Sequence, residues 1–384
     1  MTLEKGTITL LLILASLTPI QAQHDFKGMV IDAKTGNPIP YVNIGIVEKG
    51  IGTVSDEDGL FHLYFDKAQM DPTDQVLFSS LGYRSLKIPV SSLPLAHNEY
   101  TTYKMEPHTT ALSEVVVTNK KGRFIPDFIG YRNFGEETFG YWKNNMALGG
   151  ELATHIVAKS GLRRLDSLQF EVFHNPSDSL LLRVNVYDGD GRMGGPGTNL
   201  NTSGKNILLT LGRMDKVVWV NLRPFDIYVK NNFMVSLELV KVYGEGELGL
   251  VLAGAMNQYG SYRKYVSQGK WERIANQNMA YSLKTSLMVS EKMASRYETK
   301  KARKKQKLRT VSGFAIMKGH MVSKVEVRNN RTKEIVWTDE KGRYRIAANK
   351  GDLLLFSKEG LKTMAVKVTH KPTANVVMKA SLSP

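Results

Sequence analysis

Apolar and polar residues alternate in short runs between His24 and Pro107. Residues 41–47 place valine or isoleucine at every second position, and residues 61–65 do the same with phenylalanine and leucine. A period of two residues is typical of a strand with one buried face. Turn residues separate the runs, as in Asp56–Gly59, and about seven strands fit into the segment. The pattern therefore predicts a small β-sandwich over residues 23–107.

The order of strands and turns recurs near the other end of the chain, over residues 311–384. The phrase TVSDEDGLF of the first segment returns there as TDEKGRY. Glycines and inward-facing residues match together: Gly28 with Gly313, Val42 with Val325, Ile44 with Val327, Gly59 with Gly342, Leu63 with Ile346, Gly82 with Gly360 and Met105 with Met378. We therefore predict a duplicated fold in which Phe61 and Tyr344 are buried at equivalent positions.

The stretch GMVIDAKTGNPIPYVNIGIVEKGIGTVSDEDGLFHL, followed by VLFSSLGYRS, resembles the carboxypeptidase regulatory-like domain. That family combines a T-G-x-P-[IL] turn, a G-T-x-[ST]-D-x-x-G-x-[FY] turn and strand, and an F-S-x-x-G-Y strand. The resemblance covers residues 24–107 well and 311–381 more loosely. It implies a transthyretin-like β-sandwich of about seven strands in a protein of the bacterial envelope. Because the domain is an accessory module, the resemblance implies a fold and no activity.

Residues 111–121, ALSEVVVTNKK, resemble the segment that follows this domain in TonB-dependent outer-membrane receptors. Those receptors continue into a plug and a large barrel, for which this chain has no room. We therefore expect residues 108–122 to form a last strand and a linker.

Residues 123–290 have a different pattern, which begins with an aromatic and glycine-rich stretch at 124–142. About eight strand-like runs follow, and they predict a jelly-roll-like β-sandwich. Leu181–Leu200 also resembles a hairpin of jelly-roll accessory modules in secreted bacterial proteins. The predicted fold class is thus all-β, with two small transthyretin-like β-sandwiches flanking a jelly-roll-like β-sandwich.

The N-terminal residues predict export. Lys5 precedes the apolar run Ile8–Leu17, and the small residue Ala22 lies at the cleavage edge, so residues 1–22 have the features of a signal peptide. An uncleaved anchor is the alternative. No later apolar run reaches the ~18 residues of a spanning helix, so we expect no transmembrane span in the mature chain. The absence of cysteine excludes disulfides and fits a bacterial protein of the periplasm, outer membrane or cell surface.

The net charge of +16 is uneven, because residues 299–309 hold seven Lys or Arg and no acidic residue. We expect residues 291–310 to form a solvated basic linker or helix. Export argues against nucleic acid as the partner, although charge alone would allow it. The alternative role is contact with an anionic polymer or lipid surface through Lys300, Lys301, Arg303, Lys304 and Lys305.

The sequence contains no complete catalytic motif. A zinc carboxypeptidase needs a His-x-x-Glu pair, and none of the eight histidines has a Glu three residues later. The G-x-S-x-G elbow is absent, and residues 196–206 lack the spacing of a phosphate loop. We therefore predict no enzyme activity, no metal and no cofactor.

Asp188 and Asp190 begin like a calcium loop but lack a third acidic ligand and the closing glutamate, which favours a hairpin turn. One enzymatic alternative stays open, a hydrolase with a site assembled from distant residues such as His155, His174, Asp188 and Asp190.

Aromatic and basic residues are interspersed in residues 260–274. Tyr262, Tyr265 and Trp271 form a candidate ligand platform, because flat rings can stack on sugar faces. Filling of a sandwich core or edge is the competing role. The predicted function is non-catalytic binding or scaffolding in a Gram-negative cell envelope, with an envelope protein or surface glycan as the partner. The alternative is a glycan-binding accessory protein that uses the middle sandwich.

Overall fold

The computed structural model describes residues 24–66, 69–93, 100–108, 122–135, 139–143, 147–245, 247–256, 259–306 and 309–381. The predicted signal peptide and the segment 111–121 lie outside these residues. Strands make up most of the described part, which confirms the predicted all-β fold of sandwiches. The chain divides into two compact units, Met1–Glu291 and Lys292–Pro384.

The N-terminal sandwich consists of two sheets. Its strands are β1 (His24–Asp32), β2 (Asn43–Ile46), β3 (Ile51–Val54), β4 (Leu60–Phe65), β5 (Gln75–Ser79), β6 (Leu86–Pro89) and β7 (Thr101–Met105). One sheet has the order β4-β1-β7, with β7 parallel to β1, and the other has the antiparallel order β3-β2-β5-β6. A turn of 3₁₀ helix, Val90–Ser92, follows β6.

The period of two residues sets the core of this sandwich. In β4, Phe61 is buried while its neighbour His62 is exposed. The ring of Phe61 packs edge-on against Phe26 and Phe78, with centroids 5.3 Å and 5.6 Å apart. Gly28 lies opposite Phe61 in β1, and an added Cβ there would lie 2.3 Å from a backbone carbonyl oxygen. A glycine is therefore required where the sheet and the aromatic core meet.

The middle sandwich is larger. Its strands are β8 (Gly122–Gly130), β9 (Phe139–Tyr141), β10 (Glu151–Ile156), β11 (Arg163–His174), β12 (Ser179–Asp188), β13 (Ile207–Gly212), β14 (Val217–Asn221), β15 (Tyr228–Val229), β16 (Phe233–Tyr243), β17 (Val251–Met256), β18 (Ser261–Lys264), β19 (Glu272–Ile274), β20 (Gln277–Met279) and β21 (Ser282–Ser290). Short 3₁₀ turns occur at Arg192–Gly194 and Arg223–Phe225.

Two sheets enclose the core of the middle sandwich. Sheet A has six strands in the order β13-β12-β16-β10-β18-β19. Sheet B has eight strands, with the path β20-β17-β11-β21-β8, and β14, β15 and β9 pair along its side. Aliphatic and aromatic residues from both sheets form one buried cluster that includes Leu182, Leu237, Phe170 and Trp142. The aromatic opening stretch contributes β8, an edge strand that pairs with β21 through nine residue pairs.

A helix, α1 (Glu291–Gln306), precedes the C-terminal strands and contains much of the basic run. The strands are β22 (Thr310–Met317), β23 (His320–Met321), β24 (Glu326–Asn329), β25 (Ile335–Trp337), β26 (Arg343–Ala347), β27 (Leu353–Ser357), β28 (Leu361–Lys362), β29 (Met364–Lys367), β30 (Val376–Val377) and β31 (Lys379–Ala380).

The C-terminal strands repeat the topology of the N-terminal sandwich. One sheet has the order β23-β22-β26 with β30 parallel to β22, and the other has the order β25-β24-β27-β29. Gly313 lies opposite Tyr344, as Gly28 lies opposite Phe61. The Tyr344 ring packs edge-on against Phe356 at 5.2 Å, so the core has the same aromatic contact in the same position.

Candidate functional site

Four charged side chains form one row across sheet A. Arg183 on β12 is in register with Glu238 on β16, Glu238 with Glu151 on β10, and Glu151 with Lys264 on β18. All four residues are at least nine-tenths buried. The two cations and two carboxylates balance, so the row is neutral as a whole.

Each carboxylate of the row has its own cation. Arg183 donates from Nε and Nη2 to the two oxygens of Glu238, at 2.8 Å and 2.6 Å. Lys264 Nζ donates to Glu151 Oε1 at 2.5 Å. The two glutamates face each other across the strands, and such a like-charge pair destabilises a sheet unless it is neutralised. Asn185 offsets the repulsion, because its amide donates to both carboxylates.

Hydroxyl groups complete the row. Ser236 Oγ donates to Glu151 Oε2 at 2.6 Å, and the Tyr187 phenol donates to the same carboxylate at 3.1 Å. Burial, followed by the charge of Glu151, raises the pKa of Tyr187 well above its usual range, so the phenol stays a donor. Burial also opposes ionisation of Glu238, but the adjacent Arg183 outweighs it and the net pKa of Glu238 is lowered.

The N-terminal sandwich covers part of this row. Arg183 Nη1 donates to the backbone oxygen of Tyr41 at 2.9 Å. Beside this contact, Val54 of β3 packs with Leu181 and Val240 of sheet A in a small apolar cluster. The buried ion pair is therefore also a contact between the two sandwiches of the first unit.

A loop of the middle sandwich fixes the other side of the contact. Ser267 Oγ donates to Asn43 Oδ1 at 3.1 Å, and Gln268 Nε2 donates to Ser79 Oγ at 2.8 Å. The approach is close, since a Cβ added to Gly52 would lie 2.1 Å from the Ser267 backbone oxygen. These hydrogen bonds and the close backbone packing hold the sandwiches in one arrangement.

A cleft of about 230 Å³ remains open where the two sandwiches meet. Eight of its ten lining residues are polar or charged, and the other two are a leucine and a tyrosine. The lining residues are Asn43, Ser79, Ser80 and Leu81 from the N-terminal sandwich, and Arg183, Asn185, Tyr187, Asn199, Asn206 and Glu238 from the middle sandwich.

The three predicted platform rings do not share one exposed face. Tyr262 is buried, and its hydroxyl donates to the Gly194 backbone oxygen at 3.2 Å. Tyr265 packs against the main core of the middle sandwich. Trp271 is half-buried, and its ring lies 4.9 Å from Lys264 Nζ. Tyr262 and Trp271 therefore border the Lys264 end of the charged row.

The five predicted contact residues of the basic run lie in α1. Lys300 is exposed there. The other four predicted contact residues belong to the same helix and are Lys301, Arg303, Lys304 and Lys305.

Three of the four residues named for a hydrolase site line one cavity of about 590 Å³, namely His155, Asp188 and Asp190. His174 ends β11 and does not line it. Both oxygens of Asp190 accept hydrogen bonds from Thr198, which lower the pKa of Asp190. In the part of the chain that the structure describes, no group of three or more His, Cys, Asp or Glu residues is placed to hold a metal.

The charged row was not predicted from the sequence, although a signal for it exists. Arg183, Asn185 and Tyr187 occupy every second position of a run whose other positions are apolar. A strand normally turns such a polar face to solvent, so the pattern alone does not show that the face is buried. The partner carboxylates lie on strands that are 32 and 55 residues away from Arg183 in sequence.

Residues 26–117 match the family of CarboxypepD_reg-like domains. The N-terminal sandwich is thus a carboxypeptidase regulatory-like domain, which confirms the resemblance read from its turn motifs. No curated protein matches the chain. Among the described residues, no helix has the length and apolar character needed to cross a bilayer.

Similar solved structures include a surface-layer-associated protein and pilin subunits of bacteria. The cysteine protease and lectin-like domains of Cwp84, a surface-layer-associated protein of Clostridium difficile, are 14% identical, with 40% of this chain and 36% of that chain covered and a TM-score of 0.27. The major pilin subunit BcpA of Bacillus cereus is 9% identical, with 94% and 100% covered and a TM-score of 0.17. The T6 backbone pilin of Streptococcus pyogenes is 9% identical, with 90% and 80% covered and a TM-score of 0.18. These scores are too low to support a functional argument.

Proposed function

We propose that the chain is an exported, non-catalytic binding or scaffolding protein of the Gram-negative cell envelope. The observation that carries the proposal is the docking of the regulatory-like sandwich onto the charged row of the middle sandwich. Groups that could perform acid–base chemistry hydrogen-bond to one another there, and Arg183 also binds the backbone of Tyr41. Their role is to fix two binding modules in one arrangement.

The C-terminal strands belong to the same proposal, as a second, diverged copy of the regulatory-like sandwich. The shared strand order, the parallel last strand and the glycine-to-ring pairing support it. A chain with such a module near each end suits a scaffold, since each module offers its own loops to a partner.

Fractionation tests the proposed location and role. A C-terminally tagged chain expressed in a Gram-negative host should lose residues 1–22 and appear in the envelope fraction, with the intact mass as the readout. An unprocessed chain in the cytosol would contradict export.

A peptidase and esterase panel should show no turnover, and activity abolished by Asp190→Asn would contradict the non-catalytic role.

The basic helix is proposed as the contact for an anionic polymer or lipid, supported by the exposure of Lys300. Neutralisation of the five basic residues by glutamine should abolish cosedimentation with vesicles that contain an anionic phospholipid. It should leave the thermal unfolding of the chain unchanged. Equal cosedimentation of variant and wild type would remove this contact from the proposal. The five residues are Lys300, Lys301, Arg303, Lys304 and Lys305.

Glycan binding by the middle sandwich is the second candidate function. The half-buried Trp271 ring favours it, because the ring lies beside a buried cation and 6.2 Å from the Tyr187 ring. Trp271→Ala should weaken binding on a glycan array by up to about tenfold, since one aromatic contact contributes ~0.5–1.5 kcal/mol. Trp219→Ala is the matched control, because Trp219 is 58% exposed on sheet B.

A further inference from the structure

We infer that the cleft between the two sandwiches of the first unit binds one neutral sugar residue. The inference rests on the glycan-binding candidate and locates its site at the module junction rather than on the rings of residues 262–271. The cleft receives polar groups from both sandwiches, so the site exists only while Tyr41 and Arg183 hold the two together.

The charge of the cleft selects a neutral ligand. Arg183 and Glu238 are the charged residues that line it, and they neutralise each other through two hydrogen bonds. An anionic or cationic ligand would gain no net attraction and would lose hydration on entry. A polyhydroxylated neutral ligand avoids that loss, because its hydroxyl groups exchange water for amide partners.

The unused hydrogen-bonding capacity of the lining fits hydroxyl groups. Asn199 and Asn206 accept hydrogen bonds through their side-chain oxygens, from the Asn201 backbone and from Arg183, which leaves their NH₂ groups for a ligand. In Asn185 the NH₂ group donates to two carboxylates, so its side-chain oxygen remains available to accept a hydrogen bond from a ligand. Each sugar hydroxyl both donates and accepts, so it can use this mixed set.

Size and shape limit the ligand to a single ring. The cavity of about 230 Å³ is smaller than the ~300–1,000 Å³ of pockets that enclose a drug-sized molecule. Leu81 and the Tyr187 ring supply apolar surface for the C–H face of a sugar. The ligand is therefore a terminal or exposed residue of a larger glycan, or a free monosaccharide.

The test uses the whole mature chain and the methyl glycosides of glucose, galactose, mannose, fucose and N-acetylglucosamine, measured by calorimetry. At least one should bind saturably to the wild type. Ser80→Tyr fills the cleft and should weaken that binding more than tenfold. Ser91→Tyr, at an exposed serine of the 3₁₀ turn after β6, should leave it unchanged. Asn199→Ala removes one NH₂ group and should weaken binding about fivefold, which covers a failure of Ser80→Tyr to fold.

The outcomes separate the cleft from the wider glycan function. Sugar binding that survives Ser80→Tyr and Asn199→Ala but is lost in Trp271→Ala would support glycan binding by the middle sandwich. It would contradict the assignment of the cleft as the binding site. No saturable binding of any of the five methyl glycosides, with binding to the glycan array retained, would overturn the neutral-sugar assignment. No binding to any glycan would overturn both the cleft and the glycan candidate, and it would leave the scaffold proposal standing.

Discussion

Arg183 and Glu238 form an ion pair with two hydrogen bonds on the outer face of sheet A. The third guanidinium nitrogen of Arg183, Nη1, donates to the backbone oxygen of Tyr41 in the neighbouring sandwich. Both side chains are almost fully buried, at 4% and 1% exposure. One arginine therefore serves two purposes, since it neutralises a buried carboxylate and ties the regulatory-like domain to the middle sandwich.

Removal of Glu238 should be strongly destabilising. Glu238→Ala leaves the Arg183 charge buried without its partner, and loss of one member of a buried pair costs about 3–5 kcal/mol. Urea unfolding followed by tryptophan fluorescence, to which the buried Trp142 contributes, measures the loss. The control is Arg213→Ala, which breaks an exposed pair with Asp178 and should cost at most ~1 kcal/mol. Equal effects of the two substitutions would show that the charged row does not hold the sandwich.

A methyl group at Gly52 should separate the two sandwiches of the first unit. The added Cβ would lie 2.1 Å from the Ser267 backbone oxygen, which is closer than packed atoms allow. Gly52→Ala should therefore speed hydrogen exchange of the Glu48 amide, which donates to the Gln268 backbone oxygen across this contact, and leave both cores folded. Gly189→Ala is the control, because its Cβ would lie no closer than 3.8 Å to a neighbour. An unchanged exchange rate of the Glu48 amide in Gly52→Ala would mean that the docking does not depend on this contact.

Matched substitutions test whether the terminal sandwiches are packed alike. A Cβ on Gly28 or Gly313 would lie 2.3 Å or 2.0 Å from a backbone oxygen of the adjacent chain segment. We expect Gly28→Ala and Gly313→Ala each to cost about 1–3 kcal/mol, seen as faster native-state hydrogen exchange in the strands of that sandwich alone. Gly212→Ala, with only an ordinary contact at 3.5 Å, should have no such effect. A large effect at one glycine and none at the other would separate the two folds.

The terminal sandwiches could be predicted because local signals agree there. Alternation placed Phe61 and Tyr344 in the core, and the turn motif placed Gly59 before β4, where its φ is +74°. Each signal spans a few residues, so a single sequence contains all of it. The duplicated order added a second, independent copy of the same pattern.

The candidate site could not be predicted because it depends on register between distant strands. Glu151, Arg183 and Glu238 lie on three strands, and only their pairing brings the charges together. The sequence left open whether Tyr262 and Trp271 form a ligand platform or fill a core or edge, because burial of Tyr262 depends on the loop that contains Gly194. Composition and spacing contain no information on which loop covers which ring.

The acid stability of the C-terminal sandwich should depend on Asp352. The Arg331 guanidinium holds the pKa of Asp352 well below its usual range, against the effect of burial, and hydrogen bonds from Asn349 and Asn329 add to the shift. A carboxyl with a lowered folded pKa stabilises the fold fully above its unfolded pKa of about 3.9, and this contribution shrinks as the pH falls from there towards the folded pKa. Arg331 is 52% exposed, so solvent screening reduces the effect.

Asp352→Asn should unfold more easily than the wild type at pH 6, and the difference should shrink towards pH 2.5 in calorimetric melts. Glu340→Gln, which removes one charge from an exposed turn of the same sandwich, controls for net charge. A difference between Asp352→Asn and wild type that stays constant with pH would show that the Asp352 charge does not stabilise this sandwich.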